Sequence, residues 1–172
     1  IDDKALSKRR RLIFGLLSDK AVRVADVTVR WNIVRHFYPY YEEDSLDWDN
    51  RLERYMQKAV QMAGVNTFES LVEWYDTLCR FMNPVKDGHM FVRRDMNVSG
   101  IMSTYLPEFY AEAETKVVND TLLVRMGTDD RQPWRILNVV NGQQASERLQ
   151  YCRQITNAAT EVHRDKMAAE KM

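Results

Sequence analysis

"FESLVEWYDTLCRFMNPVKDGHMFV", residues 68–92, changes its period partway along. From Phe68 to Met82 the apolar side chains Leu71, Val72, Tyr75, Leu78, Cys79 and Met82 fall at steps of three and four, which lines one face of a helix. Pro84 cannot continue that helix, and beyond Gly88 the run Met90-Phe91-Val92 reads as a short apolar strand. A helix that gives way to a strand within one turn points to an α+β fold. It also holds a histidine, His89, at the junction.

Upstream, residues 47–63 repeat the helical pattern through Trp48, Leu52, Tyr55, Met56, Ala59, Val60 and Ala63, with Asp47 as an N-cap and Gly64 as a stop. For the helix at Phe68, Asn66 is the expected cap and Glu69 the N3 acid. Residues 21–38 fit two periods: Val27, Val29, Trp31 and Ile33 alternate like a strand, while Val24, Val27, Trp31, Val34 and Tyr38 fit a helix. A length of about 18 residues is atypical for a strand and selects the helix. Pro39 ends it. Trp48, Leu52, Met56, Leu71, Tyr75 and Leu78 are the expected buried faces, and the aromatic set Trp31, Phe37, Tyr38, Tyr40 and Trp48 is read as core.

Downstream, residues 109–118, 121–126 and 134–140 are short β-rich runs separated by turn signals at Asn119-Asp120, Gly127 to Asp130 and Asn141-Gly142. Residues 144–155 and 158–171 return to helical composition, the last stretch polar and Ala-rich like a detached arm or linker. The expected organisation is therefore a three-helix unit over 1–92, a β-rich unit over 93–157 and a helical segment over 158–172.

Twenty-five basic and 25 acidic side chains cancel, so no whole-molecule field favours nucleic acid or an anionic surface. Two cysteines, Cys79 and Cys152, are too few for a disulfide framework. The apolar run after Lys8 to Arg11 is about six residues long, far below the ~20 of a membrane span. The chain begins at Ile, which reads as a processed product or an excised piece. The basic run itself reads as an exposed helix face.

Few residues offer chemistry. The acids Glu42, Glu43, Asp44, Asp47 and Asp49 lack the alternation and central Gly of a calcium loop and read as a solvated loop leading into a helix N-terminus. The sequons at Asn97 and Asn119 would matter only in a secreted eukaryotic protein. No histidine has a ligand partner at metal spacing, no glycine-rich phosphate loop is present, and no serine sits in a nucleophile elbow; neither metal nor cofactor is expected. For His89, flanked by Asp87 and Gly88, two roles stand open: a general base aimed into a cleft, or a hydrogen-bonding residue of the turn.

The order of motifs adds a further expectation. "RWNIVRHFYPYY" (30–41), "LDWDNRL" (46–52) and the Asp87-Gly88-His89 turn resemble, in sequence and order, the N-terminal helical region of the tail-specific and tricorn-core serine peptidases. "WRILNVVNGQQASERLQYCRQITNAAT" (134–160) is similar to their PDZ-like segment, although Trp134-Arg135 stand where that segment usually has Gly-Asp. The resemblance implies a PDZ-like unit over 93–157, a polypeptide substrate, and an extracytoplasmic or periplasmic setting. It also implies that the nucleophilic serine belongs to a later catalytic domain, to which 158–172 would lead, and that this chain alone is inactive. In the tricorn-like branch the histidine of this turn is the general base, which is the role implied for His89; in the tail-specific branch a Ser-Lys dyad acts instead. The rival expectation is a non-enzymatic protein- or peptide-binding scaffold of the same architecture.

Overall fold

A computed structural model describes residues 3–90, 92, 113–127 and 129–172, and the fold is α+β. Four helices lead: α1 (Asp3–Ser18), α2 (Lys20–Phe37), α3 (Trp48–Gln61) and α4 (Phe68–Met82). The three expected helices are joined by a fourth, α1. Strands β1 (Ala113–Val118), β2 (Thr121–Met126) and β3 (Arg135–Ile136) form an antiparallel sheet in that order, and β4 (Val139–Val140) pairs with β5 (Gln143–Gln144). Helices α5 (Ala145–Gln154) and α6 (Glu161–Ala169) close the chain. Among the described residues no helix is long and apolar enough to cross a membrane.

Local chemistry explains most boundaries. Asp19 caps α2 by accepting from the Ala21 and Val22 amides at 2.8 and 3.1 Å. The cap of α4 is Thr67, whose hydroxyl accepts from Ser70 N at 3.2 Å, and not the expected Asn66. Both are cap-forming residue types, and Thr67 has the extended backbone that aims its oxygen at the third amide. Asp47 occupies the N-cap position of α3, but its side chain accepts from Asn50 Nδ2 and caps no amide. Gly64 ends the turn after α3 at φ +84°, where a Cβ would be strained, and its amide reaches Ser18 O at 2.8 Å. The Asn119-Asp120 pair, with φ 47° and 59°, and Asn141-Gly142, with 49° and 79°, supply the left-handed pairs that tight hairpins require. Of the strand expected at Met90 to Val92, Met90 and Val92 have no strand pairing among the described residues, and Phe91 lies outside them, as do 109–112 of the next expected run.

The helical core is built where the predicted stripes meet. Trp48 stacks on Phe81 at 4.7 Å between ring centres, with Tyr55 against the same ring at 5.0 Å and Val27, Val34, Trp74 and Leu78 around them. Leu52 and Met56 are partly buried against this cluster, and Tyr75 is half-buried. Leu71 and Leu78 are both buried, so Leu71→Ala and Leu78→Ala are each expected to cost about 2–5 kcal/mol, read as a fall in urea midpoint. A negligible change in both would place the stripe on the wrong side.

Two expectations are corrected here. Of the aromatic set, Trp48 and Tyr38 are buried and Trp31 partly so, but Phe37 is 80% and Tyr40 54% exposed. Phe37 lies about 100° around α2 from Tyr38 and so leaves the buried stripe. Residues 158–171 are no detached arm: Ala168 and Ala169 of α6 are buried, and Thr115 Oγ1 donates to Ala169 O at 2.8 Å. Small side chains let α6 approach α5 and β1 closely, which polar composition concealed.

Candidate functional site

The two halves of the fold meet at the end of α4, and the turn that carries His89 is built there. Asn83 Nδ2 donates to the carbonyls of Arg153 and Thr156, both at 2.9 Å, at the end of α5. Val85 is fully buried in the helical core, and the Met90 carbonyl accepts from Asn157 Nδ2 at 2.7 Å. Tyr151 donates its hydroxyl to the buried Asp76 of α4, adding a second link between the halves. With Val85 and Met90 anchored, residues 86–89 project between them.

Asp87 organises the tip. One carboxylate oxygen accepts from the His89 amide at 2.8 Å and lies 3.4 Å from His89 Nδ1, while Asp87 O accepts from Met90 N at 3.3 Å. The imidazole is otherwise fully solvent-exposed, which leaves its other nitrogen free to meet an incoming group. Gly88 has neither a positive φ nor a neighbour within 4 Å of an added Cβ, so its backbone does not require glycine.

A second layer holds this turn from the α2–α3 loop. Tyr38, the buried C-cap residue of α2, donates its hydroxyl to one oxygen of Asp44, and Lys86 Nζ binds the other at 3.0 Å. The ammonium of Lys86 is largely solvated, so its attraction is screened; the buried Tyr38 hydrogen bond is the stronger arm. Burial first, and then the Asp44 hydrogen bond and charge, push the Tyr38 phenol up to about 12. The same two partners, Tyr38 and then Lys86, hold the Asp44 carboxyl below the usual carboxylate range.

These shifts have signs that a titration reads. Because the Tyr38 value in the fold lies above its ordinary 10, its contribution is complete below pH 10 and is lost as the pH rises through about 12. The contribution of Asp44 is complete above its ordinary 3.8 and is lost as the pH falls through the lower folded value. One of the eight tyrosines is therefore expected to ionise near pH 12 in ultraviolet difference absorbance, and that component should be absent from Tyr38→Phe. Its persistence in the variant would assign the shift to another phenol.

The other sequence candidates lie apart from this turn. His36 and His163 are exposed on α2 and α6. Cys79 and Cys152 are buried, and burial pushes the Cys152 thiol up. Lys8 and Arg11 are exposed on α1, Asn119 is exposed at its hairpin tip, and Asn97 lies outside the described residues. Among the described residues no three His, Cys, Asp or Glu side chains converge as a metal site. Of the acidic loop, the solvated reading fails for Asp44 alone, whose partners Tyr38 and Lys86 make it part of the fold. Beside Asn83 a polar cavity of about 440 Å³ opens between α5 and α6, where Arg153 pairs with Asp120 and Asp165. No protein family, curated protein or solved structure compared with this chain matches it.

Proposed function

We propose that this chain is the substrate-positioning front portion of a serine endopeptidase of the tail-specific and tricorn-core kind, and that His89 is the general base for a serine carried on a further catalytic region. Its β-rich half is the PDZ-like unit of that arrangement, its substrate is a polypeptide, and its setting is extracytoplasmic. The observation that carries the reading is the Asp87–His89 pair: an imidazole on an anchored turn, open to solvent, with a carboxylate beside Nδ1. A base must reach the proton it removes, and a nucleophile from outside this chain can approach only an exposed ring.

The test uses a serine-reactive fluorophosphonate probe and casein cleavage, applied to this chain and to the protein encoded by its complete reading frame. The chain alone is expected to show neither labelling nor cleavage, and the complete protein both. Activity of the 172-residue chain that survives repurification would overturn the division of labour.

A second reading, a non-enzymatic protein-binding scaffold, draws on one observation. Val29, Ile33 and Phe37 form an exposed apolar stripe at four-residue spacing along α2, as an interaction face would. Absence of probe labelling in the complete protein would favour it.

A further inference from the structure

We propose that Asp44 is a positioning residue for His89: through Tyr38 and Lys86 it ties the α2–α3 loop to the Asp87–His89 turn and sets how the imidazole is presented. The inference rests on the reading of His89 as the general base. Its geometry stands independently of that reading. The turn is pinned on one side by Asn83, which donates to backbone carbonyls of the second half, and by Asn157, which donates from that half to Met90 O, and on the other through Lys86 and the buried Val85. Lys86 immediately precedes Asp87, so anchoring its side chain on Asp44 restrains the residue whose carboxylate accepts from the His89 amide.

Asp44 suits this task because each of its two oxygens has a different kind of partner. Tyr38 is buried in the same core cluster as Val34 and Trp48, which restricts the phenol and with it the Asp44 oxygen it binds. The other oxygen then offers Lys86 a single place to bind. The negative charge of Asp87 also contributes to the raised Tyr38 value, which puts that carboxylate within electrostatic reach of the same phenol. A loop that served only to connect α2 to α3 would need none of these contacts.

The experiment has two arms. In this chain, Asp44→Ala is compared with Asp44→Asn, which keeps an acceptor for Tyr38, and with Lys86→Met, a change at an exposed side chain that leaves the core intact. Amide exchange at His89 and Met90 is expected to rise about tenfold to a hundredfold in Asp44→Ala and less in the other two, with α3 amides unchanged. In the complete protein, Asp44→Ala and Lys86→Met are expected to lower kcat by about tenfold with KM held within about twofold, as misplacement of a base should. Neither should lower it further in a His89→Gln background, because the effect passes through His89.

Unchanged exchange at His89 and Met90 in all three variants would overturn the tether itself. Faster exchange with normal kcat, in a protein whose turnover depends on His89, would overturn the positioning role while sparing the peptidase reading. If exchange rises but His89→Gln leaves turnover intact, the general-base reading fails and the positioning role fails with it, and the tether survives as architecture.

Discussion

Replacing Arg23 with Met is expected to lower the stability of the fold by about 2–6 kcal/mol, since two buried carbonyls lose their donors at roughly 1–3 kcal/mol each, a large part of the roughly 5–15 kcal/mol that a domain holds. Arg23 is completely buried where the ends of α1 and α3 meet the start of α4. Its Nε donates to Leu17 O at 2.8 Å, Nη1 to Met62 O, and Nη2 to Ser70 Oγ at 3.3 Å, with the guanidinium 5.1 Å from the Trp74 ring centre. Leu17 and Met62 lie at helix ends, where carbonyls lack intrahelical donors and the dipole is negative, so one planar cation satisfies two helices. Burial pushes the guanidinium down from its ordinary value, and Glu73 partly opposes that, yet an arginine stays charged at neutral pH.

Met fills a similar length but leaves both carbonyls without donors in a dry site, which carries the full desolvation penalty. Arg23→Lys should recover only part, because an ammonium has no fork to reach two separate carbonyls. Urea unfolding with an unchanged m-value checks this. A loss below about 1 kcal/mol in Arg23→Met would mean that water replaces the guanidinium.

How much of this was legible depends on whether a residue announces itself by period. The faces of α3 and α4 were readable because each is apolar on one side, and Trp48, Leu71 and Leu78 are buried as their spacing implies. For α2, length decided between two periods, and Arg23, Val27 and Val34 mark the buried face that resulted. Arg23 carried a signal that composition overrides: it falls four residues before Val27, on the apolar stripe, where a charge needs partners from other segments. Those partners, Leu17, Met62 and Ser70, are scattered in sequence, so only the fold brings them together.

The site was legible in its centre and hidden in its support. Asp87, Gly88 and His89 stand out as a turn, and the structure exposes the histidine. Nothing in a run of five acids distinguishes Asp44, since its role depends on a phenol six residues earlier and a lysine 42 residues later. The exposure of Phe37 and the packing of α6 were missed for a related reason. Rotation about a helix axis and the reach of alanine are geometric facts that residue type expresses weakly.

On the proposed reading of His89 as general base, His89→Ala in the complete protein is expected to reduce turnover by about two to four orders of magnitude, the usual contribution of such a group. The fold should not suffer: the ring is solvent-exposed, and its backbone amide, rather than the ring, makes the bond to Asp87 that shapes the turn. That separation makes the substitution informative, because a chemical role and an architectural role predict different rescues. Gln retains a hydrogen-bonding head group but cannot take up the proton of a serine hydroxyl. If His89 is the base, His89→Gln should therefore be nearly as slow as His89→Ala, with both variants unfolding at the wild-type urea midpoint. If the imidazole merely holds the turn, His89→Ala should be destabilised and His89→Gln should restore both stability and turnover. Near-normal turnover in a stably folded His89→Gln protein would remove His89 from the chemistry and leave a Ser-Lys dyad as the mechanism to be sought in the remainder of the protein.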